Sequence, residues 1–330
     1  MGGIGVVLQL HSAQFYEDGY HGARTTNANR NNVVNSPHLN YLTHSFTTPV
    51  VSRYFFHRAL IQRLPRQSTN WKYRSCAVVS NSGSLLEKEA GAEIDQHDAV
   101  FRINYPPVAG YEKHVGTVTS FDLVNHHHLQ LMSNPPGYEH HPFLDYGATT
   151  FRAPPNKPYD GKSMLVLIES TNSEGWRFYS LPKIFAKYPN ARIMALSPDF
   201  VVAADDVWRR ISNDLVKEGE QCVSISEDDS VTNPYNHTFH RRPDSRLVCK
   251  PTSGWFALSF AAQICEEVHL YGFSDWSKDD PSAVAEGGIG KGGAKYHYFD
   301  EVEGVTDVHS FELSKRIYET LAEHYPIFLH

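Results

Sequence analysis

Cysteine and methionine are scarce, with four of each in 330 residues. No apolar run comes near the ~20 residues of a membrane span. The opening Gly2-Gly3-Ile4-Gly5-Val6-Val7-Leu8 is too short for one and lacks the basic flank of a signal peptide. Val6 stands where a myristoylation signal requires Ser or Thr. The expectation is that this chain carries no membrane anchor. A basic excess is missing as well: 30 Lys and Arg face 37 Asp and Glu, a net charge of −7. That argues against nucleic-acid binding through a general basic surface, while leaving room for a local nucleotide pocket.

The common metal signatures are also missing. There is no His-Glu-x-x-His, no Cys-x-x-Cys and no Asp-x-Asp. The pairs Asp205-Asp206, Asp228-Asp229 and Asp279-Asp280 are adjacent rather than alternating and read as loop or helix-start residues. His126-His127-His128 sends three side chains in different directions and reads as a solvated loop. No metal and no cofactor are expected. The cysteines Cys76, Cys222, Cys249 and Cys265 allow three pairings, and free thiols stay equally open. Asn236-His237-Thr238 is an N-glycosylation sequon, Asn236 being the acceptor.

What is present is a hydrophobic fraction of 41%, enough for a substantial core. Residues 1–70 differ from the rest. They are rich in Asn, His, Thr and Ser, and read as a stem-like, partly disordered segment with a short helix near Tyr54–Leu64. From Trp71 onward, strand-like and helix-like stretches alternate. Strands are predicted at Ala77–Ser80, Ala99–Ile103, Met164–Ile168, Arg192–Leu196 and Val268–Phe273. Helices are predicted at Leu181–Tyr188, Phe200–Lys217, Gly254–Glu266 and Phe311–Tyr325. This alternation implies an α/β fold, with a mostly parallel central sheet flanked by helices over residues 71–330. The run Gly287-Gly288-Ile289-Gly290-Lys291-Gly292-Gly293 reads as a flexible loop, a lid beside a site, and does not match a P-loop.

Three segments carry the chemistry. In Cys76-Ala77-Val78-Val79-Ser80-Asn81-Ser82-Gly83 a strand runs into a small polar loop. In an open α/β sheet that places N–H groups and short side chains at the carboxyl edge, where nucleotides bind. The segment has no G-x-G-x-x-G, so a dinucleotide fingerprint is not supported. Pro251-Thr252-Ser253-Gly254-Trp255 heads an apolar helix, with Thr252 or Ser253 as N-cap and unbonded N–H groups suited to a phosphate. Tyr296-His297-Tyr298-Phe299-Asp300 and His309 place histidines ahead of the last helix. Imidazoles suit proton transfer near neutral pH, but among 19 histidines any single one carries little weight.

Taken in order, these segments resemble the four sialylmotifs of the eukaryotic sialyltransferases, glycosyltransferase family 29. The large motif resembles Cys76 to about Asn125, with Gly91-Ala92-Glu93-Ile94-Asp95, Phe101-Arg102-Ile103-Asn104 and Gly110 through Gly116. The small motif resembles Pro251 through Phe273, the third His297-Tyr298-Phe299-Asp300, and the very small one His309 and its successors. The 91–95 and 253–255 stretches are most similar to the N-acetylgalactosaminide α-2,6 branch.

The resemblance implies a GT-A-like variant fold, a CMP-sialic acid donor, a glycan acceptor on glycoprotein or glycolipid, inversion without a metal, and the Golgi lumen. It implies that Asn81, Ser82, Asn104, Thr252, Ser253, Gly254 and Phe273 bind the donor. His297 is then the partner of its phosphate, His309 the general base, and Cys76–Cys265 a disulfide, with Cys222 and Cys249 as a second pair. Two departures from the family pattern stand out. Thr252-Ser253 replaces the usual Ser-Thr order, and Ser314 stands where an acid usually follows the very small motif's histidine by five residues. Two other readings stay open at this point: a transferase of a related CMP-activated keto sugar acid such as Kdo, and a catalytically silent glycan- or nucleotide-binding homologue.

Overall fold

The computed structural model describes residues 71–133, 163–168, 192–196, 198–217, 250–273, 295–301 and 309–330, the single positions Lys183, Ile184 and Ala186, and the backbone of five short strands. Seven parallel strands form the central sheet: β1 Tyr73–Val79, β2 Ala99–Ile103, β3 Phe121–Val124, β4 Met164–Leu167, β5 Arg192–Ala195, β6 Cys265–Tyr271 and β7 Ile327–Leu329. Their spatial order is β7-β6-β1-β2-β3-β4-β5. The chain therefore walks outward from β1 to one edge, then returns to the far side of β1 for β6 and β7. The direction reverses between β1 and β6, and open α/β sheets bind ligands in the crevice at such a reversal.

Both faces of the sheet are covered, as a parallel sheet requires. The alternation along β1 is direct evidence. Cys76 and Val78 enter a core with Phe101, Phe121, Trp208, Trp255 and Phe260. Ala77 and Val79 enter a second core with Ile94, Val115, Tyr271 and Tyr298.

Helices fill the crossovers: α1 Gly91–Ile94, α2 Glu112–Val115, α3 His126–Met132, α4 Pro198–Lys217, α5 Ser253–Ile264 and α6 Phe311–Ala322. In α4, Phe200, Ala204, Val207, Trp208, Ile211 and Leu215 recur at helical spacing and are buried. Helix α5 is apolar nearly all round and is buried from Gly254 to Ala261. Its Trp255 donates Nε1–H to the Ala204 carbonyl at 2.8 Å. Each of its large side chains contributes about 1.5–3 kcal/mol by leaving water.

Helix α5 passes straight into β6, and the Cys76–Cys265 disulfide ties that junction to β1. Val268, not Cys265, pairs in register with Cys76, so the bridge is diagonal across the two strands.

Several sequence expectations need correction. Tyr54 and Phe55 belong to a strand, Ser52–Phe55, that pairs antiparallel with Gly19–Arg24 rather than to a helix. Residues 56–64, the glycine run, Cys222, Cys249 and Asn236 lie outside the described residues. His126–His128 is the first turn of α3 rather than a solvated loop. Asn125 caps it by accepting the His128 amide at 2.9 Å, and His128 is buried. Asp205 and Asp206 lie well inside α4 and pair with Arg209 and Arg210 four residues on. Cys265 and Glu266 are strand, because the sheet captures the chain as soon as α5 ends. Strands β3 and β7 carry no sequence expectation. Asp122 interrupts the apolar pattern of the first, and β7 is only three residues long.

Candidate active site

The carboxyl ends of β1, β2, β3 and β6 lead to Asn81, Asn104, Asn125 and Phe273 on one edge of the sheet. The N-terminus of α5 closes the same edge. The parallel ladder forces this convergence, since neighbouring parallel strands all end on the same side.

Asn81 follows β1. Its Nδ2 donates to the Ile103 carbonyl at 3.0 Å. That carbonyl can only accept, so the amide orientation is fixed. The side-chain oxygen is then buried with no hydrogen-bond partner among the described residues. A buried orphan acceptor at a strand end has a place for a donor from a ligand. Ser82 accepts from the Ser84 amide and shapes the turn after Asn81.

Asn104 has φ +59° and Tyr105 φ +43°, two successive left-handed residues. The Asn104 amide donates to the Leu123 carbonyl at 2.7 Å, and its Oδ1 accepts from the Asn125 amide at 3.1 Å. Asn125 is a site residue that sequence reasoning missed. It ends β3, caps α3, and reaches Ser253 Oγ at 3.5 Å. Its signal in the sequence is a capping Asn directly after an apolar run, the same context that Asn104 has after Phe101-Arg102-Ile103.

Thr252 caps α5, accepting from the Trp255 amide at 3.4 Å, and its hydroxyl lies 3.3 Å from the Tyr318 hydroxyl of α6. Burial pushes the Tyr318 phenol well above its ordinary range, so it stays protonated. Gly254 sits tightly against the next element: a Cβ there would come 2.8 Å from the Phe273 ring, which would have to move. Phe273 in turn meets Tyr318 edge-on at 5.2 Å.

Residues 295–299 are fastened against the β1 loop. Gly83 N–H donates to the Lys295 carbonyl at 2.8 Å, and Tyr298 N–H to the Asn81 carbonyl at 2.8 Å. A Cβ on Gly83 would come within 2.6 Å of the Lys295 backbone, so only glycine permits this approach. His297 is thereby held next to the Asn81 loop. Its Nδ1 meets both oxygens of Asp300, at 3.0 and 3.1 Å, and its ring stacks on Phe299. The Tyr298 hydroxyl donates to the Pro107 carbonyl at 2.6 Å, which ties this segment to the loop after β2.

His309 precedes α6. Its Nδ1 lies 3.0 Å from the Lys250 carbonyl, two residues before the Thr252 cap. A carbonyl only accepts, so Nδ1 carries the proton and Nε2 is the acceptor nitrogen of the neutral ring. Ser314 is buried and donates to the Ser310 carbonyl at 2.6 Å within its own helix. The Lys250 backbone thus meets the His309 ring, while position 314 bonds within its own helix.

The chain matches the glycosyltransferase family 29 (sialyltransferase) profile over residues 23–224 and 230–325. The human beta-galactoside alpha-2,6-sialyltransferase 2 is 30% identical over 210 residues, covering 60% of this chain and 30% of that protein. The human alpha-N-acetylgalactosaminide alpha-2,6-sialyltransferase 3 is 25% identical over 275 residues, 77% of this chain and 72% of that one. The sialyltransferase-like protein 2 of Oryza sativa subsp. indica is 28% identical over 251 residues, 76% of this chain and 53% of that one. The chain spans about a third of the length of the first curated relatives it matches. A mammalian sialyltransferase crystal structure superposes with a TM-score of 0.51 at 19% identity, covering 99% of this chain and 90% of that one, and so shares the fold. With its profile matched over most of its length, and the motif segments gathered on one sheet edge, the chain belongs to glycosyltransferase family 29, the sialyltransferases.

Proposed function

We propose that the protein is an inverting, metal-independent sialyltransferase that moves sialic acid from CMP-sialic acid to a glycan hydroxyl. The observation that carries this reading is the convergence at the β1–β6 reversal. Asn81, Asn104, Asn125 and the α5 N-terminus lie together at the carboxyl edge of the sheet, with His297 fastened beside the Asn81 loop.

The donor is already an activated glycosyl phosphate, so the protein must hold the nucleotide and stabilise charge on the departing phosphate. In this reading the asparagines and Ser82 take the nucleoside, with the orphan oxygen of Asn81 accepting a ribose hydroxyl or cytosine amine. Thr252, Ser253 and Gly254 offer hydroxyls and the first amides of α5 to the phosphate. His297, its Nδ1 held by Asp300, offers its other ring nitrogen to the phosphate oxygen. Phe273 forms an apolar wall beside Gly254. His309 takes the acceptor proton on Nε2, because Lys250 holds the proton on Nδ1. Inversion follows from attack opposite the leaving CMP.

The acceptor is read as a glycan on glycoprotein or glycolipid and the location as the Golgi lumen, with residues 1–70 as a stem. The disulfide between Cys76 and Cys265 supports an oxidising compartment. The test is CMP release by purified protein across a panel of CMP-sugar donors and glycan acceptors. Release that depends on both CMP-sialic acid and a glycan supports the reading. Release only with a CMP-Kdo-type donor replaces the sugar. CMP binding without transfer under any pairing points to the silent homologue.

A further inference from the structure

Strand β3 places a carboxyl group where a hydrophobic residue would be expected. Asp122 is 2% exposed, flanked along the strand by buried Phe121 and Leu123 and paired across it with fully buried Arg102. A lone carboxyl in a covered parallel sheet is unfavourable unless something satisfies it. Burial pushes its pKa up to about 7, opposed by the hydrogen bond from the Tyr105 amide and by the Arg102 charge.

Its geometry explains its presence. Tyr105 N–H donates to Asp122 Oδ1 at 2.8 Å, with both groups buried. Tyr105 is the second of the two left-handed residues after β2. Left-handed backbone is disfavoured for residues with a Cβ and persists only where the surroundings over-determine it. Here the restraints come from β3 and α3. Leu123 accepts the Asn104 amide, Asn125 donates to the Asn104 side chain, and the His128 carbonyl accepts the Tyr105 hydroxyl. The Tyr105 amide goes to Asp122, whose side chain reaches it from the adjacent strand. Arg102 is committed to the Val115 and Val118 carbonyls and the Thr119 hydroxyl, and its charge favours the carboxylate without taking over this role.

We propose that Asp122 is a positioning residue of the donor site, its Oδ1 holding the Tyr105 amide and through it the left-handed turn that aims Asn104 at the nucleotide. This rests on the donor-site reading given above. Releasing the amide lets the turn relax to right-handed backbone and turns Asn104 away. Nucleotide affinity then falls in proportion to the fraction of molecules still in the competent turn.

The experiment is calorimetric titration with CMP, with thermal unfolding of every variant in parallel. Asp122→Asn keeps an acceptor oxygen and is expected to bind CMP within about twofold of wild type, whereas Asp122→Val loses roughly tenfold or more. Where the valine variant yields no folded protein, Asp122→Ser replaces it, its hydroxyl being one bond too short for the Tyr105 amide. A double-mutant cycle with Asn104→Gly separates positioning from general stability. Glycine tolerates the left-handed turn and has no side chain to aim, so removing the Asp122 carboxyl in that background leaves CMP affinity unchanged. Additive losses in the cycle overturn the proposal, as does a valine or serine variant that unfolds at lower temperature but binds CMP like wild type. A wild-type protein that does not bind CMP sinks the donor-site reading instead, which keeps the two failures distinguishable.

Discussion

His297 Nδ1 sits 3.0 Å from Asp300 Oδ1, three residues later in the same aromatic segment, and both side chains are largely buried. The carboxylate fixes the ring's orientation while backbone hydrogen bonds fix the segment against the β1 loop. His297→Ala is expected to weaken CMP-donor binding and turnover together, because the phosphate is held in the ground state and gains charge on departure. Asp300→Asn keeps the ring in place but removes the carboxylate charge that faces Nδ1, and is expected to lower turnover by at least about tenfold. Steady-state kinetics with CMP-sialic acid check both. Near-normal turnover in Asp300→Asn would show that the carboxylate charge is not needed at the ring.

His309 and Ser314 should separate sharply. His309→Ala removes a proton acceptor used only in the transition state. Turnover is expected to fall roughly a hundredfold or more with donor binding nearly intact. Ser314→Ala removes one hydroxyl bonded within its own helix, a loss of about 1 kcal/mol of stability and little activity. A His309→Ala enzyme with near-normal turnover would move the base elsewhere.

Transfer is expected to survive chelation. The site offers amides, hydroxyls, helix N–H groups and imidazoles, while Asp300 is occupied by His297. Loss of activity in EDTA, restored by manganese, would overturn this.

Breaking the Cys76–Cys265 bridge should cost stability well before it alters the site. It closes a sequence separation of 189 residues and joins the middle of β1 to the start of β6, away from the carboxyl ends that lead to Asn81 and Phe273. Cys265→Ser is expected to lose about 2–5 kcal/mol. Denaturant unfolding measures this, and an unchanged midpoint would rule out a structural role for the bridge.

Stability should fall on mild acidification because of a histidine cluster away from the site. His97 reaches the Tyr271 hydroxyl, Tyr271 donates to Glu93, and His330 bridges Glu93 and His269. Burial, and then repulsion within the cluster, push His97 and His269 below the ordinary histidine range. Glu93, Glu267 and Asp98 oppose this only partly. The folded state therefore binds fewer protons than the unfolded chain just below pH 6.5. The stability they confer is complete above that pH and is lost as pH falls through the lowered values. Unfolding free energies of wild type and His269→Gln, measured at several pH values from 7.5 to 5.5, test this. The variant should lose less on acidification, and parallel curves would refute the assignment.

Much of the architecture could be read from residue order. Ala99–Ile103 matches its predicted strand residue for residue, because five apolar-compatible positions lie between clear turn signals. Phe121–Val124 was not legible, since Asp122 breaks its apolar run and is favoured by Tyr105 and Arg102, both distant in sequence. Among the candidate site residues, Asn81, Thr252 and His309 stand out through their motifs, and all three lie at the sheet's carboxyl edge or beside the α5 cap. Asn125 does not stand out, because its value lies in bridging Asn104 and Ser253, separated in the chain by 21 and 128 residues respectively.

The sequence by itself determined the alternation of strands and helices, the absence of Asp-x-Asp, and the family motifs with their candidate histidines. It could do so because periodicity, capping and motif spacing are local properties written into consecutive side chains. Only the tertiary structure decided the order β7-β6-β1-β2-β3-β4-β5, the orphan oxygen of Asn81, the contact of His309 with the Lys250 carbonyl, and the hydrogen bond from the Tyr105 amide to Asp122. Each of these depends on which distant backbone groups parallel pairing brings within about 3 Å, and hydrogen bonds act only over that distance.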